Sequence, residues 1–478
     1  MPDGRHHPDE AQDTVDRVRQ ALGRSTGTEW LASQGAASGA RTDRRAFDFG
    51  TLPAYERLKL QKAAGALAGI ANPFYRLHDG RAAETTSLDG RQIVNFSSYD
   101  YLGLNGHAAV GAAAKAAIDR YGTSVSASRL TAGERQVHRD LEAALARLHG
   151  VEDALTYVSG HATNVSVIGG LVGPEDLIVS DSAIHNSVVE GARLAGAKRI
   201  LCPHGDLAAM ERALRLNRTR HRHALIVVEG LYSMDGDVPD LAALVRLKRR
   251  YDAWLMVDEA HSLGVLGATG RGIAEEQGVD PAEVEIWMGT LSKTLASTGG
   301  YVAGSRRLIE LLKYTSPGFV YSVGSAPPVA AAALAAIGIM QRERWRLEKL
   351  RSNGRKFLAA ARARGLDTGL SIGASVVPII VGNSPDTVIL SHRLLARGYN
   401  VVPIIFPGVP ENQSRLRFFI TSRHTAAHIE NVLDTLVEEL ADVRSAPSFV
   451  DVIAGSRNGG LDTARRERGR ARMRVPAS

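Results

Sequence analysis

Short apolar runs separated by helical stretches are the feature that most restricts the fold of this chain. Between about residues 105 and 325, such runs recur at 154–158, 177–179, 224–228, 254–257 and 301–303. Each run is nearly continuous in apolar residues, as is typical of strands buried on both faces of a parallel sheet. The sequence therefore predicts an α/β fold with a large, mostly parallel sheet.

The bulk composition suits a soluble globular protein with more than one core. The chain has 478 residues, 44% apolar and 23% charged, which predicts one large domain with smaller satellites. No segment reaches the about 20 apolar residues of a membrane span, and the polar residues 1–7 favour a cytoplasmic location. The single cysteine, Cys202, excludes an internal disulfide framework, and we expect it to be buried.

Changes in pattern along the chain predict five consecutive segments. They are a disordered N-terminal extension (1–50), a helix with an extended arm (51–104), a large domain (105–335), a smaller α+β domain (336–445) and a disordered arginine-rich tail (446–478).

Most of the net charge lies in that tail. Residues 457–478 contain seven arginines, Asp462 and Glu467, a sum of +5, so the rest of the chain carries only +2 (7 − 5). A basic segment of this kind suits an acidic partner protein or nucleic acid, or it is simply a solvated end. We do not expect nucleic acid to be the partner.

Polar residues follow several of the predicted strands. Gly160 and His161 follow the first run, 181–185 the second, 229–233 the third and Asp258 the fourth. In open parallel sheets, ligands bind outside the carboxyl ends of the strands. The sequence therefore predicts a ligand site at this edge of the sheet.

Six motifs, in order over roughly residues 50–440, resemble those of one enzyme family. The motifs are NFSSYDYLGL (95–104), SRLTAG (128–133), EGLYSMDGD (229–237), VDEAHS (257–262), TLSK (290–293) and RLR (415–417). They resemble the α-oxoamine synthases, which are fold-type I pyridoxal phosphate (PLP) enzymes and include serine palmitoyltransferase and 8-amino-7-oxononanoate synthase. The resemblance implies an aspartate aminotransferase-like fold, with a large, mostly parallel sheet domain and a smaller α+β domain, and PLP as the cofactor.

By this resemblance, four residues are expected to carry the chemistry. Lys293 is expected to hold the cofactor aldehyde as a Schiff base and to act as general base, and Asp258 to pair with the pyridine nitrogen. His261 is expected to hydrogen-bond the phenolate oxygen, and His185 to stack on the cofactor ring and orient the substrate carboxylate. Without the resemblance, Lys293 would suit a surface position at a helix start and Asp258 a turn cap.

The same resemblance assigns further residues to the cofactor. Gly160 and His161 follow a strand and open a predicted helix, whose N-terminus suits the cofactor phosphate. Thr290 is expected to add a hydroxyl near the phosphate, and Ser233 to lie beside the pyridine ring.

Three residues are expected to bind the substrate. Arg417 is the preferred clamp for the amino-acid carboxylate because a planar guanidinium binds it bidentately, and Arg415, two residues earlier, is the alternative. Many relatives have Asn where this chain has Tyr99, a difference that resembles the serine palmitoyltransferase branch and synthases attached to polyketide systems.

The resemblance implies a decarboxylative condensation of a small amino acid (glycine, alanine or serine) with acyl-CoA or an acyl-carrier protein, catalysed by a homodimer. The alternative is an aminotransferase or lyase that needs no thioester. A regulator built on the same fold would normally add a helix-turn-helix domain, for which 1–50 is too short and glycine-rich. A non-catalytic partner subunit often lacks the lysine, and Lys293 argues against that reading.

Overall fold

The computed structural model describes residues 48–67 and 71–446. The predicted disordered extension and the arginine-rich tail lie outside these residues, apart from 48–50 and 446. The chain forms two compact units. The larger unit combines His78–Ile380 with Leu416–Leu433, and the smaller unit contains the described parts of Met1–Leu77, Val381–Arg415 and Asp434–Ser478.

Helices and strands alternate through the first two thirds of the described chain. In chain order they are α1 (Pro53–Leu67), β1 (Thr85–Leu88), β2 (Arg91–Asn95), α2 (Ala108–Tyr121), α3 (Gln136–His149), β3 (Asp153–Tyr157), α4 (Gly160–Leu171), β4 (Leu177–Asp181), α5 (Asn186–Ala195), β5 (Lys198–Cys202), α6 (Leu207–Asn217), β6 (Ala224–Glu229), α7 (Leu241–Arg250), β7 (Trp254–Asp258), α8 (Ile273–Gln277), β8 (Ile286–Thr290) and β9 (Gly300–Gly304).

Helices dominate the remainder. The further elements are α9 (Arg306–Thr315), α10 (Pro317–Val320), α11 (Pro327–Arg342), α12 (Trp345–Ala363), β10 (Val376–Gly382), α13 (Ser384–Ala396), β11 (Tyr399–Asn400), β12 (Pro403–Ile404), β13 (Ser414–Phe419) and α14 (Ala426–Ser445).

The larger unit is built on a seven-stranded sheet with the order β3-β9-β8-β7-β6-β4-β5. The pairs among β5, β4, β6, β7 and β8 are parallel, whereas β9 is antiparallel to both of its neighbours. The prediction of a mostly parallel sheet is therefore confirmed. Parallel strands of this kind need crossover connections, and the helices between them provide these.

The core explains why the strands are so apolar. Side chains of Ile178, Leu225 and Met256 from neighbouring strands lie in one buried cluster with Val167 of α4 and Val188 of α5. A strand that is covered by helices needs apolar residues on consecutive positions, not on alternate ones. Cys202, at the end of β5, is buried as predicted.

A hairpin of β1 and β2 precedes the sheet. Its turn is Asp89-Gly90, and both residues have a positive φ, of 50° and 77°. This is the geometry that tight hairpin turns require and that Asp-Gly sequences favour.

The smaller unit contains α1, α13, β11, β12 and the part of α14 from Asp434 onward. Between Tyr399 and Ile404 the structure has only the two-residue strands β11 and β12. Pro403 and Pro407 lack the N–H group that a longer strand would use in a hydrogen-bond ladder. Among the described helices, none combines the length and hydropathy of a membrane span.

Candidate cofactor site

Two carboxylates lie side by side at the carboxyl end of the central sheet. Glu229 ends β6 and Asp258 ends β7, and the two residues are directly opposite each other in the parallel register. Both side chains are buried. The charge of Asp258 disfavours ionisation of Glu229.

Asp258 is held as a hydrogen-bond acceptor. Its Oδ1 accepts from the backbone N–H of Ala260 at 2.9 Å, and its Oδ2 accepts from Nδ2 of Asn164 on α4, also at 2.9 Å. Both bonds use the carboxylate oxygens as acceptors. An anionic group fixed in this way suits the protonated nitrogen of a pyridine ring.

Glu229 has a different environment. Its Oε2 accepts from the backbone N–H of Ser233 at 2.9 Å, while Oε1 has no hydrogen-bond partner among the described residues. Burial, reinforced by the charge of Asp258, raises the pKa of Glu229 to about 8. Near neutral pH, Glu229 is therefore the protonated member of the pair.

Lys293 follows β8 and is half-buried. Its Nζ lies 5.9 Å from the ring centre of Tyr99. Burial lowers the pKa of Lys293 to about 8, and the nearby charge of Arg417 acts in the same direction, although Asp258 and Glu229 oppose the shift. A substantial fraction of this amine is therefore neutral near physiological pH, as a nucleophile or base requires.

His185 lies at the N-terminal end of α5, where its exposed ring is anchored from behind. Its Nδ1 is 2.7 Å from Oγ of Ser187, and Ser187 Oγ in turn lies 2.9 Å from Nδ2 of Asn164. Loss of hydration within the site lowers the pKa of His185, and the electrostatic effects of Lys293, His161 and Arg417 lower it further against the opposing charge of Asp258.

His261 is buried beside Tyr101, whose hydroxyl lies 2.7 Å from Nδ1 of the imidazole. Burial, aided by the charges of Lys293 and Arg417, lowers the pKa of His261 well below its usual value. The ring is therefore neutral and is able to donate one hydrogen bond.

The start of α4 forms a cradle for an anion. Ser159 caps the helix by accepting from the backbone N–H of Ala162 at 3.0 Å. A Cβ on Gly160 would lie 3.1 Å from Oγ1 of Thr290, so glycine allows a close approach of the backbone. His161 is exposed in the first turn. A helix N-terminus with this space suits the cofactor phosphate.

Arg417, on β13, lies above the ring of Phe419, with its guanidinium carbon 4.7 Å from the ring centre. One of its nitrogens donates to the backbone oxygen of Ser233 at 2.9 Å. Tyr99 is 42% exposed, and its ring meets Phe419 edge-on at 4.9 Å. The larger unit thus brings Tyr99 and Arg417 to the same group of residues as Lys293.

Arg415 belongs to the smaller unit. It is buried and donates to the backbone oxygen of Gln413 at 3.0 Å and to the side-chain oxygen of Gln413 at 3.3 Å.

The structure adds Asn164, Ser187 and Tyr101 to the predicted site, and it gives a role to Glu229, which the sequence placed only at the same edge of the sheet. Glu229 had a usable signal, because it ends a strand that neighbours the one ending at Asp258. Tyr101 lies in the first motif. Asn164 and Ser187 gave no signal beyond lying near Gly160 and His185, since their importance depends on contacts between distant segments.

Comparison with known proteins agrees with this arrangement. The sequence model described as "Aminotransferase class I and II" matches residues 91–436. The chain is 42% identical over 388 residues to an 8-amino-7-oxononanoate synthase of Methylobacterium sp. (strain 4-46), an alignment that covers 80% of this chain and 97% of the relative. The chain belongs to the α-oxoamine synthase family.

Solved structures of this family match the fold. A serine palmitoyltransferase from Sphingomonas wittichii superposes with a TM-score of 0.79 and 27% identity, covering 84% of this chain and all of the other. A high-resolution structure of serine palmitoyltransferase with PLP gives the same TM-score and coverage at 25% identity. This α-oxoamine synthase is therefore a PLP-dependent acyltransferase with the fold of the fold-type I PLP transferases.

The residues present in this α-oxoamine synthase fit PLP. The orphaned buried oxygen of Glu229, the fixed carboxylate of Asp258 and the narrow cradle at Gly160 together suit a planar, charged molecule with an anionic end. Lys293 supplies an amine of lowered pKa in the same unit.

Proposed function

We propose that this enzyme condenses a small amino acid (glycine, alanine or serine) with an acyl thioester and releases carbon dioxide and a free thiol. The product is an α-amino ketone. The observation that carries the proposal is the joint presence of Lys293, Asp258 and Arg417 in one unit, with the electrostatic interaction of Lys293 with both other residues. The names of the relatives, 8-amino-7-oxononanoate synthase and serine palmitoyltransferase, support this type of reaction.

Three parts of the larger unit would hold the cofactor. Asp258 would bind its pyridine nitrogen, Lys293 its aldehyde carbon, and the N-terminus of α4 at Gly160 its phosphate. When bound, PLP withdraws electron density from the α-carbon of the amino acid. His185, His161, Thr290, Ser233 and His261 complete the proposed set of cofactor contacts.

Lys293 is the proposed base. With the cofactor bound, its free amine would remove the proton from the α-carbon of the amino acid, since burial lowers its pKa to about 8 and keeps part of it neutral. Arg417 binds the amino-acid carboxylate with its planar fork of donors. Tyr99, 42% exposed and with its ring centre 5.9 Å from Nζ of Lys293, would contact the bound amino acid.

The proposed reaction then has three steps, namely carbon–carbon bond formation, loss of carbon dioxide and return of a proton. The α-carbon attacks the thioester carbonyl, so a carbon–carbon bond forms and the carbon–sulfur bond breaks. The leaving thiolate takes a proton from solvent and departs as the free thiol. The carboxylate group next departs as carbon dioxide and leaves its electron pair on the α-carbon. The protonated amine of Lys293 returns a proton to that carbon.

The direct test offers the PLP-loaded, full-length enzyme each amino acid in turn, with acyl-CoA or an acyl-carrier protein. We expect one amino acid to release labelled carbon dioxide from its carboxyl group and one thiol per turnover. Lys293→Ala should abolish both, while the control Lys198→Ala, on β5, should not. Conversion of the amino acid to its keto acid without a thioester would instead assign an aminotransferase.

We also propose that the enzyme is a cytoplasmic homodimer. Light scattering on the purified chain should give twice the chain mass, and a stable monomer with full activity would contradict this assembly.

A further inference from the structure

Two buried side chains join His185 to Asp258 through hydrogen bonds. Nδ2 of Asn164 lies 2.9 Å from Oδ2 of Asp258 and 2.9 Å from Oγ of Ser187, and Ser187 Oγ lies 2.7 Å from Nδ1 of His185. Asn164 and Ser187 are 1% and 0% exposed. This series of hydrogen bonds runs from the end of β7, through one side chain on α4 and one on α5, to the exposed residue His185.

The direction of each bond follows from Asp258. Its carboxylate oxygens only accept, so the side of the Asn164 amide that faces Oδ2 must be the NH2 group and not the oxygen. Nδ2 carries two hydrogens. One is donated to Asp258 and the other to Ser187, which leaves Oδ1 of Asn164 without a hydrogen-bond partner among the described residues.

The hydrogen bonds of Ser187 determine which nitrogen of His185 is the acceptor. Because its oxygen accepts from Asn164, its single hydroxyl proton is directed to its other neighbour, Nδ1 of His185. The backbone N–H of Ser187 also donates to Nδ1, at 3.3 Å. Nδ1 is therefore an acceptor, and the proton of the neutral imidazole lies on Nε2.

The surrounding charges act on whether the ring gains a second proton. Lys293 in the loop after β8, His161 on α4 and Arg417 on β13 disfavour it, whereas Asp258 on β7 favours it. With loss of hydration added, the balance lowers the pKa of His185. The ring thus stays neutral near physiological pH, with a fixed donor at Nε2.

We propose that Asn164 and Ser187 are positioning residues that fix His185 as the Nε2–H tautomer, so that this ring donates a hydrogen bond to the carboxylate of the amino acid and does not act as a base. The donor role toward substrate rests on the proposed function. The tautomer itself does not, because it follows from the four side chains alone.

The tautomer is measured by nitrogen NMR on the full-length protein labelled with 15N-histidine, with and without PLP, and His185→Gln identifies the signal. We expect Nε2 of His185 to carry the proton and Nδ1 to be unprotonated. Asn164→Asp should reverse the direction of these hydrogen bonds. The Ser187 hydroxyl would donate to the new carboxylate, so only the lone pairs of the Ser187 oxygen would face Nδ1 of His185. The pKa of His185 should then rise by about one pH unit or more.

A matched control separates this effect from a loss of stability. Asn353 is equally buried in the larger unit and donates through Nδ2 to the backbone oxygens of Thr421 and His424, at 3.0 and 2.8 Å. Asn353→Ala should lower the melting temperature without changing the His185 signal. If wild-type Nδ1 carries the proton, or if neither Asn164→Asp nor Ser187→Ala changes the signal, the proposal is wrong.

The substrate part has its own readout. Ser187→Ala should raise the KM for the amino acid about tenfold with a smaller change in kcat, because one oriented hydrogen bond to a charged group is lost. An unchanged KM together with the predicted tautomer would overturn the donor role but not the positioning. Absence of acyl transfer in the wild-type enzyme would refute the proposed function and leave the NMR result standing.

Discussion

At the scale of single residues, the lowered pKa of Lys293 has a kinetic consequence for the cofactor-free protein. Only the neutral amine attacks an aldehyde, so the rate of PLP uptake should follow the neutral fraction. For a pKa of about 8, uptake should rise about fivefold from pH 7 to pH 8 and level off above about pH 9. Stopped-flow absorbance measures this rate directly.

An ordinary lysine would behave differently over the same range. With an unperturbed pKa of about 10.4, the rate would still climb about tenfold per pH unit at pH 9. That result would show that Lys293 is not desolvated in solution.

Substitutions of Arg417 and Arg415 should have different effects on the KM for the amino acid. Arg417→Ala should raise the KM for the amino acid about 10- to 100-fold, because a charged, bidentate hydrogen bond is lost. Arg417→Lys should recover only part of this, since an ammonium lacks the planar fork. Arg415→Ala, measured in the same steady-state assay, should leave the KM nearly unchanged, and the reverse pattern would make Arg415 the clamp.

The residue scale also shows where sequence patterns suffice. Lys293 and Asp258 lie in short motifs that resemble those of the α-oxoamine synthases, and this resemblance indicated both residues. Asn164 and Ser187 are common polar residues on two different helices, and only the packing of α4 and α5 against β7 brings them to Asp258 and His185. A local pattern has no means of indicating such a contact.

At the scale of elements, the β3–α4 connection predicts a sharp difference between two glycines of one helix. A Cβ on Gly160 would lie 3.1 Å from Oγ1 of Thr290, whereas one on Gly170 would meet no atom closer than 3.4 Å. Gly160→Ala should therefore weaken PLP binding about tenfold through crowding. Gly170→Ala should leave the Kd unchanged and, as a helix-interior replacement, stabilise the fold. Fluorescence titration with PLP measures both, and equal Kd values would contradict the cradle.

A second element-scale prediction concerns His204, which follows β5. Its Nδ1 pairs with Asp181 of β4 at 2.9 Å and its Nε2 with Asp237 of the loop after β6 at 3.0 Å. Hydrogen bonds to Asp181 and Asp237 raise the pKa of His204 to about 10. Because the folded state holds this proton more tightly, the stabilisation is complete below about pH 6.5 and is lost as the pH rises through about 10.

The free energy of unfolding should therefore fall between pH 7 and pH 10, as measured by urea denaturation. His204→Gln should lower stability at pH 7 by about 2 kcal/mol and flatten this pH dependence. His221→Gln, which removes a ring bonded only to a backbone oxygen in the described contacts, serves as the control. A parallel decline in wild type and His204→Gln would contradict the ion-pair origin.

Element prediction succeeded where a run was continuous and failed where a special residue interrupted it. Runs at 177–179 and 224–228 became β4 and β6 with small extensions. Strand β8 was not among the predicted strands, because Gly289 interrupts its apolar residues. The structure gives the reason for that glycine, since a Cβ there would lie 2.3 Å from the hydroxyl of Tyr301 on β9.

At the scale of the whole molecule, the concentration of positive charge in the tail predicts an effect on the KM for an acidic acyl donor. Deleting 457–478 reduces the net charge from +7 to +2 (7 − 5). If the donor is an acidic carrier protein, its KM should rise roughly fivefold at low salt, and the difference should vanish at high salt because exposed charges are screened. The KM for the amino acid should not change.

A tail of the same length with its seven arginines replaced by glutamine tests the same point without truncation. An unchanged KM for acyl-carrier protein in both variants would exclude a role of the tail in recruiting the donor.

The division of the chain was the hardest feature to predict. Our five segments are consecutive and stay a prediction, whereas the compact units each combine separate stretches. Such units depend on contacts between residues far apart in sequence, and a pattern read along the chain contains no information about them.

Because the larger unit combines two separate stretches, it cannot be completed during synthesis until the later stretch has been made. Lys293 and Asp258 emerge long before Leu416–Leu433, which supplies Arg417 and the buried Phe418 to the same unit. Until then, Phe96 and Phe357 lack the aromatic ring that they meet at 5.4 and 4.9 Å in the finished protein. Translation must thus pass residue 433 before the unit is complete, and until then the nascent chain presents apolar surface to chaperones.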